Sequence, residues 1–372
     1  MNNKRIIIIS RTIFPNKAPR AARATELAKE FAARGYQVEL YAVMGRYDYT
    51  EFSAKHNIQV RNIGEMKFAT LNSDGKRKDS FILKALTRLF NNLLEFPDVE
   101  LMFRIRKLLQ KTGPADLLVT VAVPFPLHWG AAWAKTAKPE AFSACWIADC
   151  GDPYMGNKIL KKPFYFKYVE KWFCRKADYI TVPIAEAIPA YYPEFHSKIH
   201  VIPQGFDFSV KVPEYKAGNA VPTFIYAGVF YKNIRDPRPL LDYLSTLDTN
   251  FKFIIFTKSK ALIQEYTDRL GDKLEVRDYI PREALLAELS AADFLVNLEN
   301  NSGLQSPSKL IDYALSRRPI LSVNSNKLNT ALIQQFLNGD YSGQTMVKDI
   351  DQFNIATVAS KFLQLAGLEI KS

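Results

Sequence analysis

Residues 297–321, N-L-E-N-N-S-G-L-Q-S-P-S-K-L-I-D-Y-A-L-S-R-R-P-I-L, hold the densest set of chemically capable groups in this 372-residue chain. Ser306 at a cap position and Pro307 at the first helical position predict a helix start. Free N–H groups at that end, with the positive end of the helix dipole, make an anion site. Ser308 and Asp312 lie four residues apart and share one helix face. A carboxylate on such a face accepts hydrogen bonds from a ribose diol, as acids do in dinucleotide folds. An anion site beside a ribose site points to a nucleotide.

A strand at 224–227 runs into Gly228, where the missing side chain lets backbone approach a ligand. Lys232 and Arg235 follow, and Lys258 closes the next strand. Cations after two adjacent strand ends neutralise a departing diphosphate. In the first half, His128 follows a strand at 117–122 and a Pro124-Phe125-Pro126 turn. It is either a ligand contact or a structural histidine at a helix start. Asp149 and Asp152 follow a strand at 142–147, where a crevice is expected. They either bind acceptor hydroxyls and act as a base, or cap the turn begun at Asp152-Pro153. The four histidines lack metal-ligand spacing, and the D-x-D at 349–351 reads as a helix cap. No metal or other cofactor is expected.

Positioning these groups takes two scaffolds. The length suits two domains of roughly 150–200 residues each. The apolar run 5–10, a helical stripe over 20–35 ending at Gly35, and a strand at 37–43 form a β–α–β opening. Further strands are expected at 58–63, 117–122, 142–147, 179–182 and 200–202. A second alternation of strands and helices runs from 223 to 323. Between the two, residues 203–222 carry Gly205, Gly218 and three prolines and read as a linker. The expected fold is α/β, two Rossmann-like doubly wound domains facing a central cleft. The first spans 1–205 and the second spans 206–352. A last helix within 353–372 can cross back to the first. Each doubly wound sheet has one switch-point crevice, so the active site is expected in the cleft. No G-x-G-x-x-G follows the first strand, which argues against a dehydrogenase.

The 306–321 segment resembles the donor-binding signature of glycosyltransferase family 4, a GT-B family of bacterial surface-polysaccharide enzymes. There a PSK-type helix start precedes an acid and then a Gly/Arg-x-Pro-Ile strand. The resemblance implies that Asp312 holds the ribose in place of the usual Glu. It also implies that the loop and helix start, with Ser306, Ser308 and Lys309, cradle the diphosphate and sugar. The family's first Glu, eight residues earlier, is Leu304 here, and Glu299, Asn301 or Gln305 would take its role near the sugar. Residues 146–153, W-I-A-D-C-G-D-P, and 201–207, V-I-P-Q-G-F-D, resemble two further segments of bacterial members. A family histidine in the first domain contacts the donor sugar, a part that falls to His128. Taken together, the resemblance implies a hexosyltransferase moving a sugar from UDP or GDP, without metal and with retention. The acceptor would be a glycan or lipid-linked molecule in lipopolysaccharide or capsule assembly. A nucleotide-sugar epimerase on the same fold is the alternative enzyme.

The net charge of +12 is unevenly placed. Residues 1–200 hold 31 of the 50 Lys and Arg and 19 of the 38 Asp and Glu, which accounts for all of it. The remaining 19 of each sign cancel. A basic first half implies an anionic partner there. The stretch 80–96 carries an apolar stripe at helical spacing with Lys84 and Arg88, preceded by Lys76, Arg77 and Lys78. Such a helix lies on an anionic bilayer or packs on the domain. No nucleic-acid module is evident and basic and aromatic residues do not interleave, so a nucleic-acid partner is not expected. The apolar run 117–134 is interrupted by Pro124, Pro126 and His128 and reads as strand, loop and helix rather than a span. Three cysteines without a C-x-x-C suit a reducing compartment. The expected location is cytoplasmic, peripheral at the inner face of the plasma membrane.

Overall fold

Four consecutive isoleucines, Ile6 to Ile9, have nothing polar beyond their backbone, and all four are fully buried. Burial on both faces is what a central parallel strand demands, and each such side chain contributes about 1.5–3 kcal/mol. In the computed structural model they form β1 (Arg5–Ser10), flanked by parallel β2 and β4. The structure describes residues 4–68, 89–157, 161–210, 213, 219–232, 234–299 and 308–368. The chain divides into Met1–Asp207 with Gln352–Ser372, and Phe208–Asp351.

In the first unit β1 leads into α1 (Pro19–Ala33), with Pro19 at its first turn. Ala24, Leu27, Ala28 and Phe31 face the sheet. The chain continues through β2 (Gln37–Ala42), α2 (Thr50–His56), β3 (Ile58–Asn62), α3 (Glu100–Thr112), β4 (Leu117–Ala122) and α4 (Pro126–Ala137). It ends with β5 (Cys145–Cys150), α5 (Phe166–Lys176), β6 (Tyr179–Val182) and β7 (Ile199–Val201). The seven strands are parallel, in the order β3-β2-β1-β4-β5-β6-β7. Strand order reverses between β1 and β4, so the crevice of this sheet opens at their carboxyl ends. The strand expected at 142–147 is displaced to Cys145–Cys150, because Cys145 pairs with Leu117 at the start of β4. That shift carries Asp149 into the sheet.

The second unit runs β8 (Thr223–Ala227), α6 (Arg238–Leu244), β9 (Lys252–Phe256), α7 (Gln264–Leu270), β10 (Leu274–Arg277) and α8 (Arg282–Ala291). Then come β11 (Phe294–Leu298), α9 (Ser308–Leu315), β12 (Ile320–Val323) and α10 (Thr330–Leu337). Its five strands are parallel in the order β10-β9-β8-β11-β12, with the switch point between β8 and β11. Phe224, Phe253 and Phe294 stack across the three central strands.

The last helix, α11 (Ile355–Leu365), is capped by Asn354, whose Oδ1 accepts from the Ala356 N–H at 3.0 Å. It packs on α1. Arg34 donates to the Ser360 hydroxyl at 2.8 Å, and Val358, Ala359 and Phe362 enter the first unit's core. Among the described residues no helix is long and apolar enough to cross a membrane. Residues 76–78 and most of the amphipathic stretch 80–96 lie outside the described residues.

Candidate functional site

In the second unit, β8 ends at Ala227 and the chain turns at Gly228 with a φ of +151°. The Gly228 N–H donates to the Phe256 carbonyl at 2.8 Å, which ties the end of β8 to the end of β9. Glycine is required here for a second reason. A Cβ on Gly228 would stand 1.7 Å from Lys309 Nζ and 2.3 Å from Lys309 Cε. The lysine comes from the first turn of α9, across the switch point, and lies flat against the bare backbone.

Lys309 is held from one side by Tyr226. Its ammonium donates to the Tyr226 hydroxyl at 3.0 Å and lies 4.4 Å from the ring centroid. That hydroxyl donates in turn to the Val229 carbonyl at 3.2 Å, and the ring stacks on Phe230. Arg235 hydrogen-bonds the same hydroxyl. Burial pushes the Lys309 ammonium down to about 7, and the Arg235 charge pushes it the same way. No carboxylate acts against them among these causes. A desolvated cation beside another cation at the end of a parallel sheet is built to receive an anion.

One turn further along α9, Asp312 accepts from Arg282 Nε at 2.8 Å. Burial raises its carboxyl above the ordinary range, and Arg282 opposes that. The Tyr313 hydroxyl accepts the Ala227 N–H at 2.9 Å and pins α9 to the end of β8. The structure therefore brings together Gly228, Arg235, Lys309 and Asp312. It does not bring Lys232 or Lys258 to them. Lys232 is exposed on the loop, and Lys258 is exposed with its ammonium 5.1 Å from the Tyr279 ring. Asn301, Gln305 and Ser306 lie outside the described residues, as does the side chain of Ser308.

In the first unit the structure corrects two expectations. His128, in the first turn of α4, is fully buried between Phe125 and Phe173. Trp146 Nε1 donates to the Thr120 hydroxyl at 2.9 Å, and that hydroxyl lies 2.7 Å from His128 Nδ1. Cys150 Sγ donates to the Ala148 carbonyl at 3.7 Å and lies 3.5 Å from His128 Nε2, so its sulfur accepts from Nε2–H and Nδ1 accepts the Thr120 proton. Burial holds the imidazole neutral, down to about 3. Its burial and hydrogen bonds are those of a structural histidine. Asp149 is equally enclosed. It accepts four hydrogen bonds, two per oxygen, from Arg23 (2.9 and 3.2 Å), Arg20 (3.1 Å) and Thr181 (2.7 Å). The two guanidinium groups keep its carboxyl below the ordinary range despite burial. With its lone pairs filled it cannot serve as a base. Asp152, beyond β5, is exposed, and of these three candidates it alone is able to meet a ligand.

Arg20, Arg23, Tyr226, Tyr313 and Arg282 were not foreseen. Arg23 had a visible signal. It sits at 23 among the apolar positions 21, 24, 27, 28 and 31 of α1, and a charge inside a core-facing stripe needs a buried opposite charge. The tyrosines had none, since the Lys309 and Ala227 groups they hold lie 83 or more residues away.

No protein-family model matches this sequence, and no curated protein does. Solved structures are similar in fold. A glycosyltransferase from Rickettsia africae ESF-5 superposes with a TM-score of 0.60 at 12% identity, covering 99% of this chain and 95% of that one. Anabaena HepE, solved in complex with UDP and glucose, gives 0.60 at 11% identity, covering 98% and 100%. The UDP-GlcNAc 2-epimerase of Methanocaldococcus jannaschii gives 0.53 at 12% identity, covering 98% and 99%. With the two parallel sheets, these likenesses establish a two-domain Rossmann-like fold of the GT-B class.

Proposed function

We propose that the second unit binds a nucleotide-sugar and that the protein transfers its sugar to an acceptor. The observation that carries this is Lys309, a desolvated ammonium laid against the bare backbone of Gly228 with Arg235 beside it. The similarity to Anabaena HepE, whose structure holds UDP and glucose, supports the same reading. The diphosphate fills the space over Gly228 and Lys309, and the helix end of α9 adds its dipole. Asp312 takes the ribose, exchanging its bond to Arg282 for the diol. Within this reading we place the chain near glycosyltransferase family 4. We assign it hexosyl transfer with retention and without metal, onto a glycan or lipid-linked acceptor of bacterial surface-polysaccharide assembly.

Thermal shift with UDP and GDP tests the donor half, and failure of every nucleoside diphosphate to stabilise the protein overturns it. Asp312→Ala is expected to weaken nucleoside-diphosphate binding about tenfold, the value of one charge-assisted hydrogen bond, while Asp312→Glu retains it. Unchanged affinity in Asp312→Ala, measured by calorimetry, removes the ribose role. Gly228→Ala is expected to cost the same order of affinity, because the new methyl displaces Lys309 rather than the fold. Stability should fall by only about 1 kcal/mol, the backbone cost of that φ.

The fold likeness to an epimerase supports a second reading, epimerisation of the bound donor. Incubation with donor alone separates the two, since a free epimer marks an epimerase and slow hydrolysis a transferase.

A further inference from the structure

Residues 161–176, K-K-P-F-Y-F-K-Y-V-E-K-W-F-C-R-K, hold six basic residues and one acid, Glu170, which is fully buried. Contrary to the expectation from sequence, basic and aromatic residues interleave here. The structure turns several of the apolar ones outward. Phe164 is 72% exposed and Tyr168 is 62% exposed, with the Lys167 ammonium 4.9 Å from the Tyr168 ring centroid. The neighbouring helical residues 89–94 add Leu89 at 50% and Leu94 at 54%. The two segments form one surface, because the Tyr165 hydroxyl donates to the Leu93 carbonyl. Glu95, at the end of that turn, accepts from the Tyr154 hydroxyl at 3.0 Å and pairs with Lys162. The surface therefore belongs to the connection between β5 and α5, on the carboxyl-end side of the first sheet.

We propose that this surface docks the first unit on an anionic lipid bilayer. Exposed rings and leucines gathered in one place mark an interaction surface rather than scattered surface residues. Its basic rim and the +12 charge confined to residues 1–200 select an anionic partner. The aliphatic members decide between the anionic partners. Leucines have no face on which a base can stack, whereas a bilayer interface accepts leucine, phenylalanine and tyrosine together beneath a ring of lysines. This proposal is independent of the donor reading.

The test is flotation of the full chain with vesicles of phosphatidylcholine, with and without phosphatidylglycerol. The protein is expected to float with phosphatidylglycerol vesicles only, and less as salt is raised. Phe164→Glu/Tyr168→Glu is expected to weaken partitioning at least about tenfold, and Phe164→Trp to retain it. Both substituted positions are exposed, and an unchanged urea midpoint shows that each variant folds. Absence of flotation on anionic vesicles overturns the proposal, as does equal partitioning of the double variant. Binding to a single-stranded oligonucleotide that is lost in the double variant, with no flotation, overturns it in favour of nucleic acid.

Discussion

Asp149→Asn is expected to destabilise the first unit by about 3–5 kcal/mol, seen as a lower urea midpoint. The reason is the group left behind. Arg23 is 1% exposed, and among the described residues it has, besides Asp149, only the Pro203 and Ile202 carbonyls to receive its protons. Without the carboxylate its charge stays buried and uncompensated. Arg20 suffers less, since its side chain is 19% exposed and reaches water. The native carboxyl is held below its ordinary range, so its contribution is complete above the unfolded carboxylate pKa. It is lost as pH falls through the lower folded value. Arg23→Met/Asp149→Leu removes both buried charges and is expected to recover most of the loss. If Asp149→Asn leaves the urea midpoint unchanged, the ion pair is not what holds β5 to α1. The residue would then return to the list of candidate bases.

This pair also shows where reading the sequence stops. Strands made mostly of apolar residues were legible, as in β1 and β4, because burial on both faces leaves little room for other residue types. Strand β5 was not, for its last two residues are Asp149 and Cys150, and a charge reads as the end of a strand. Only the buried guanidinium of Arg23, 126 residues away, lets a carboxylate sit inside the sheet. The same displacement made Asp149 look like a crevice residue. The amphipathic helix α5 was missed for a related reason, since basic and aromatic residues interleave along it. In the second unit the candidate donor residues were recognisable as types: a strand-end glycine, a helix-start lysine, an acid one turn on. Their arrangement was not, because Tyr226 and Tyr313, which set it, signal nothing by themselves.

Lys309→Met is expected to weaken nucleotide-sugar binding about 100-fold and at the same time to stabilise the free protein by about 1 kcal/mol. Opposite signs follow from one fact. In the free protein Lys309 is a cation pushed down to about 7 by burial and by Arg235, against an ordinary value of 10.5. Between those two values the unfolded chain binds more protons than the native one, so stability rises with pH over that window. Removing the amine removes the penalty. A diphosphate reverses the balance, because it favours the protonated form and lifts the pKa toward its ordinary value. Binding therefore takes up a proton, about half of one at pH 7 and nearly a whole one at pH 8. Affinity is full below pH 7 and falls about tenfold per pH unit above it, until the pKa of the complex is reached. A nucleotide-sugar is the right probe, since its diphosphate has no ionisation near neutrality. Calorimetry in two buffers of different ionisation enthalpy reads the proton uptake directly. Uptake in the wild type and none in Lys309→Met places the ammonium on the diphosphate. Equal uptake in both removes Lys309 from the site, and with it the observation on which the donor reading rests.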